Sequence, residues 1–175
     1  CFLLITSITL ITGMVQAYNN TITDIENHWA KESIVRLLTN EKINGYPDGT
    51  FRPDNSVTVL EFIKMVLDNL DIRLEKQGLT KWPDYYMATA EKYKLGTNYN
   101  ALLTRYEAVE IISQLVDLQS ISIAQNRLTD LDVLHKKDVL KLVKMKVLTG
   151  YADKSFRGNN NITRAEAVTI IIRLM

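Results

Sequence analysis

Two arginines stand where a helix should not want them. Arg105 and Arg164 each follow a threonine and precede, two residues on, a glutamate: Leu103-Thr104-Arg105-Tyr106-Glu107 and Ile162-Thr163-Arg164-Ala165-Glu166. Thr-x-x-Glu before an apolar run is a helix start. The threonine hydroxyl accepts from the third helical amide, and the glutamate reaches back to the threonine amide. That places each arginine at the first helical position, beside the positive end of the helix dipole, where a cation costs ~0.3–1 kcal/mol. Its tenure there asks for a purpose. A planar guanidinium beside helix-end amides can receive a carboxylate or phosphate through paired hydrogen bonds. An ion pair within the chain, to Asp24, Asp84 or Asp130, would also hold it, and such a bridge could orient it for a ligand.

A third copy of this start, Val57-Thr58-Val59-Leu60-Glu61, has valine in place of arginine and cannot bind an anion there. The glutamates Glu61, Glu107 and Glu166 are explained by capping rather than by catalysis. Val57, Leu103 and Ile162 precede the caps and face Phe62, Ala108 and Ala167, the pattern of a hydrophobic staple.

Elements that position these residues recur. Gly45-Tyr46-Pro47-Asp48-Gly49-Thr50-Phe51 reappears as Gly150-Tyr151-Ala152-Asp153-Lys154-Ser155-Phe156, 105 positions on and without a gap. Ile22-Thr23-Asp24, Trp82-Pro83-Asp84 and Leu128-Thr129-Asp130 open three units of about 22–70, 79–118 and 128–175. The middle unit lacks the Gly-Tyr loop and has Leu95-Gly96-Thr97-Asn98-Tyr99-Asn100 instead. Each unit reads as helix, loop, helix. First helices are expected near 30–40, 86–95 and 136–147, with apolar residues at helical spacing. The second helices, from the Thr-x-x-Glu sites, are apolar nearly all round and so are expected to be buried together as a central bundle. No unit could bury such a face alone, so the three should fold as one domain. Gly45 and Gly150 suit a helix end that needs positive φ, and Pro47-Asp48-Gly49 is a turn.

The whole chain has 175 residues, a net charge of +1, 46% hydrophobic and 23% charged residues. That is a folded composition with no bulk charge to attract nucleic acid. Residues 2–12 are uncharged and largely apolar, and Val15-Gln16-Ala17 has a small-x-small form. Residues 1–17 therefore read as an N-terminally truncated signal peptide, too short for a comfortable membrane span of ~20 residues. The mature chain, 18–175, would have no membrane span and no cysteine, since Cys1 is the only one. An exported chain without disulfides fits a bacterial surface.

Asp24-x-x-x-His28-Trp29-Ala30, Gly45-Tyr46-Pro47-Asp48-Gly49-Thr50-Phe51-Arg52-Pro53, Thr58-x-x-Glu61 and Thr163-Arg164-Ala165-Glu166 together resemble the S-layer homology (SLH) repeat. The resemblance covers roughly residues 22–175. It implies an all-α fold of three helix-loop-helix repeats, pseudo-threefold about a central three-helix bundle. It implies non-covalent anchoring to the bacterial cell surface through an anionic, often pyruvylated, secondary cell wall polysaccharide bound in grooves between repeats. Carried over residue by residue, it nominates Arg105, Arg164, Asp24, Asp84, Asp130, Trp29, Gly45, Tyr46, Gly150 and Tyr151. With Val59 in place of arginine and a shortened middle loop, at most two grooves should be competent. No cofactor is implied, and the cargo of such an anchor would lie in further domains.

Alternatives remain at this point. Trp29 could stack on a sugar or pack in the core; Tyr46 and Tyr151 could wall a groove or merely pack their loops; Trp82, aligned with Ile22 and Leu128, reads as core. Asp48, Asp54 and Glu61 lack the alternate spacing of a calcium loop. His28 and His135 have no zinc spacing. A cell-wall glycoside hydrolase would need a marked pair of carboxylates, and none stands out. Worn repeats serving only as a structural or protein-interaction module are the remaining class.

Overall fold

A computed structural model describes residues 22–72, 82–96 and 98–175. The expected leader, 1–17, lies outside the described residues, as does the start of the middle unit before Trp82. The fold is all-α: α1 Lys31–Thr39, α2 Val59–Asn69, α3 Asp84–Tyr93, α4 Arg105–Leu115, α5 Lys136–Lys144 and α6 Arg164–Leu174. Among the described residues there are no strands, only isolated bridges.

The inner helices α2, α4 and α6 begin as their sequences dictate. Thr58, Thr104 and Thr163 are N-caps, and all three capping boxes are closed in both directions. Val57, Leu103 and Ile162 are fully buried just before them. These three residues also form a closed ring of backbone hydrogen bonds. Val57 N donates to Ile162 O (3.1 Å), Ile162 N to Leu103 O (2.9 Å), and Leu103 N to Val57 O (2.9 Å). Helix starts from distant parts of the chain are thereby tied at one point, and α2 packs against both α4 and α6. Phe62, Ile63, Val66, Ile112, Val109, Val168 and Ile171 are buried within one continuous core.

The outer helices pack one unit away from their own. α3 lies on α2, α5 on α4, and α1 on α6. Every outer helix thus bridges to a different unit, so no helix pair is a self-sufficient hairpin. α1 shows why it packs one-sidedly: Ile34, Leu37 and Leu38 are buried at helical spacing, Val35 is partly buried beside them, and the other positions are polar.

Another strap joins α4 to the turn before α5. His135 stacks on Tyr106, with ring centroids 4.2 Å apart and planes 11° apart. Its Nε2 meets Glu110 Oε1 and its Nδ1 meets the Asp132 carboxylate, each at 2.8 Å. Partial burial opposes the imidazolium, but the two carboxylate partners outweigh it and raise the pKa above 6.5. A raised folded pKa gives stability that is fully present below pH 6.5 and lost as pH rises through the folded value. We therefore expect the urea midpoint to fall between pH 6 and pH 9 in the wild type and to be flatter over that range in His135→Gln. An NMR titration of the His135 ring should show the raised midpoint directly.

Candidate functional site

The Gly-Tyr loops are built before anything binds them. Asp24 Oδ1 and Oδ2 accept the amides of Phe51 and Arg52, each at 2.7 Å. Asp130 does the same for Phe156 (2.6 Å) and Arg157 (2.8 Å). Asp48 accepts from the Thr50 amide and hydroxyl and from Arg52, which holds its carboxyl down at about 2. Asp153, Ser155 and Arg157 repeat the arrangement, and the Asp153 pKa is likewise lowered. Phe51 and Phe156 are pinned beneath, fully buried.

Gly45 and Gly150 do not have positive φ, contrary to the sequence expectation; among the described residues, Gly49 and Gly96 do. Both are needed for close approach instead. A Cβ on Gly45 would sit 2.5 Å from Ile22 Cδ1 and 3.0 Å from Thr50 O; on Gly150, 2.3 Å from Leu128 Cδ2 and 3.1 Å from Ser155 O. Lys154 fills the position of Gly49, at φ 65 against 78. A side chain there is strained, so Lys154→Gly is expected to stabilise the protein by about 0.5–1 kcal/mol, read from the denaturant midpoint.

Arg105 and Arg164 each reach out of their own helix into the loop of another unit. Arg105 Nε donates to Phe156 O (2.8 Å) and Nη2 to Thr149 O (3.0 Å). Arg164 Nε donates to Phe51 O (3.0 Å) and Nη2 to Asn44 O (3.3 Å). Tyr46 and Phe51 rings lie 4.9 and 4.6 Å from the Arg164 guanidinium; Tyr151 and Phe156 lie 5.1 and 4.7 Å from that of Arg105. The arginine side chains are only 8% and 10% exposed. Their closest carboxylates are the capping glutamates and not Asp24, Asp84 or Asp130. Arg105 Nη1 lies 3.6 Å from Glu166 Oε1, and Arg164 Nη1 3.6 Å from Glu61 Oε1. That is ion-pair range but beyond a hydrogen bond. Each glutamate divides its labour, Oε2 closing the capping box and Oε1 facing the arginine. In the Arg105–Glu166 pair Tyr151 Oη also donates to Glu166 Oε1, at 3.2 Å.

The helix-end amides are not open to an anion, which corrects the sequence reading. Arg105 N donates to Asn160 O and Tyr106 N to Gly158 O; Arg164 N donates to Asn55 O and Ala165 N to Pro53 O. With the capping box, every amide of that first turn has a partner. Carbonyls from a neighbouring loop also offset the guanidinium's bad place on the dipole. Of the five guanidinium N–H groups, Nε and one on Nη2 are bonded; the two on Nη1 make no hydrogen bond within the described residues and face the capping glutamate.

Both arginines line cavities. Arg105 shares one of about 190 Å³ with Thr149, Gly150, Tyr151, Glu166 and Trp29. Arg164 shares one of about 600 Å³ with Gly45, Tyr46, Glu61, Lys64 and Trp82. Trp29 is 65% exposed, which excludes the core alternative. Trp82, read from sequence as core, is 50% exposed. It precedes α3 by the same two positions by which Trp29 precedes α1. The alignment of Trp82-Pro83-Asp84 with Ile22-Thr23-Asp24 was therefore out of register. Asp84 is the exposed first residue of α3 and braces no Gly-Tyr loop. Asp24 and Asp130 brace loops and do not line these cavities. The remaining nominated residues, Arg105, Arg164, Trp29, Gly45, Tyr46, Gly150 and Tyr151, come together in two sets. The Arg105 set draws on all three units of the chain; the Arg164 set draws on the first and third, and Trp82 brings in the second.

A third hollow of about 270 Å³ is lined by Val59, Leu95, Gly96, Asn98 and Glu107. It has the capping glutamate but neither arginine nor Gly-Tyr loop.

The S-layer homology domain model matches residues 21–63 and 129–168, the segments that contain both Gly-Tyr loops. These segments are S-layer homology domains. The chain is 30% identical over 150 residues to the cellulosome-anchoring protein of Acetivibrio thermocellus, covering 85% of this chain and 24% of that protein. It is 28% identical over 152 residues to cell surface glycoprotein 1 of the same organism, covering 86% of this chain and 5% of that protein. An amylopullulanase of Thermoanaerobacterium thermosulfurigenes is 28% identical over 178 residues, covering 90% of this chain and 10% of that enzyme. The chain thus spans at most about a quarter of the length of these relatives. The middle unit falls outside the matched segments, and it is the unit without a Gly-Tyr loop.

Proposed function

We propose that this chain anchors a protein non-covalently to the bacterial cell surface, by holding an acidic substituent of secondary cell wall polysaccharide in the Arg105 and Arg164 cavities. The observation that carries this is the half-satisfied guanidinium. Each arginine lines its cavity and is fixed by two backbone carbonyls and two aromatic rings, while its Nη1 makes no hydrogen bond among the described residues and lies 3.6 Å from a capping glutamate. An exposed tryptophan forms the opposite character of wall, an apolar face suited to a sugar ring. A carboxylate between Nη1 and that face, as on a pyruvylated sugar, would gain a charge-assisted hydrogen bond worth about 1.5–3 kcal/mol. The relatives named for the cell surface and for anchoring support the same reading. The role is binding without turnover: the carboxylates that recur between units are engaged in caps and loop braces. Incubation of the purified chain with bacterial cell walls should co-sediment it and release no soluble sugar. Release of reducing sugar would favour a hydrolase instead.

A further inference from the structure

We infer that the two cavities accept different charge, and that Arg173 makes the Arg105 cavity a site for an acidic saccharide with a second negative group. This rests on the anchoring reading and specifies its ligand class. α2 and α6 are equal in length and start 105 positions apart, so their residues correspond one to one. One turn into the helix, the Arg164 cavity has Lys64 where the Arg105 cavity has Thr169; a turn further, Asp68 corresponds to Arg173.

In the Arg164 cavity the extra cations are already matched. Lys64 is paired with Asp68, which also takes the Tyr86 hydroxyl at 2.9 Å. Lys42, the other lysine of that lining, is held by Asp71 at 3.0 Å and by the carbonyl of Asp68 at 2.9 Å. With Glu61 opposite Arg164, every charge there has a counterpart. The Arg105 cavity differs. Thr169 uses its hydroxyl on the Ala165 carbonyl, at 2.9 Å. Glu166 is committed to Arg105 and Tyr151. Arg173 lines the cavity, is exposed, and among the described residues is paired with no carboxylate. Two cations and one anion therefore face one small cavity, with Trp29 as its apolar wall. Counted as in the Arg164 cavity, Glu166 offsets Arg105 and Arg173 is left over. The Arg105 cavity therefore takes one negative group more than the Arg164 cavity, and unpaired charge beside a low-dielectric wall also concentrates anions locally.

The test uses the intact chain and bacterial cell walls that retain their polysaccharide, with bound fraction measured from low to near-physiological NaCl. Arg173→Ala is exposed and should fold normally, with an unchanged melting curve. It is expected to weaken binding ~5- to 10-fold at low salt and to make the salt dependence shallower. Arg173→Lys should recover most of the loss. On top of Arg105→Ala, Arg173→Ala should add nothing. Binding by Arg173→Ala equal to wild type at every salt concentration overturns the inference while leaving anchoring intact. Binding that survives both Arg105→Ala and Arg164→Ala overturns the anchoring reading, and this inference with it.

Discussion

Arg105→Ala and Arg164→Ala are each expected to lower wall binding by ~10- to 100-fold at the cavity concerned, and to lower folding stability by about 2–3 kcal/mol. Both effects come from the same atoms. Arg105 satisfies the carbonyls of Phe156 and Thr149 and offsets Glu166; Arg164 satisfies those of Phe51 and Asn44 and offsets Glu61. Alanine leaves these carbonyls without their donors and the glutamates without their counter-charge. The lysine variants separate the two consequences. Lysine keeps the charge but not the planar fork, so part of the stability should return while binding stays reduced. Denaturant midpoints and co-sedimentation, measured on the same preparations, check this. Equal binding by wild type and both alanine variants would leave the arginines as structural straps only.

Phe156→Ala is expected to cost about 3–5 kcal/mol, the largest single loss of stability in the third unit. The ring is fully buried and lies 4.7 Å from the Arg105 guanidinium and 5.6 Å from Tyr106. Its amide is held by Asp130 and its carbonyl holds Arg105 Nε. Loss of the ring therefore loosens the packing against Arg105 as well as the core. Phe156→Leu should restore more than half of the stability, because it refills most of the volume. A Phe156→Ala variant as stable as wild type, by urea denaturation, would show that the loop is not held from beneath as described.

Local signals in the chain were legible and long-range ones were not. The capping boxes at Thr58, Thr104 and Thr163 need only four consecutive residues, and they set the helix starts correctly. The same boxes placed Arg105 and Arg164 at the first turn. What could not be read is where those arginines point, because their partners at Phe156, Thr149, Phe51 and Asn44 lie tens of residues away. The amides of that turn seemed free for the same reason; their acceptors, such as Asn160 and Pro53, belong to other units. Trp82 was misplaced because its neighbour Asp84 mimicked the loop-bracing Asp24. Counting from the start of the outer helix, rather than from the aspartate, would have matched it to Trp29. A glycine at a helix end signals backbone conformation to a sequence reading, but Gly45 and Gly150 provide clearance for the Ile22 and Leu128 side chains, which only the fold brings near. The contrast of Asp68 with Arg173 was visible in the repeat all along. Its consequence depends on the fold, in which Asp68 closes on Lys64 and on Tyr86 of another unit.

The most direct measurement is a pull-down of the intact chain with purified wall polysaccharide, before and after chemical removal of its acidic substituents. A guanidinium edge left open for a carboxylate predicts strong retention on the native polymer and retention near background on the stripped one. Equal retention on both would contradict it.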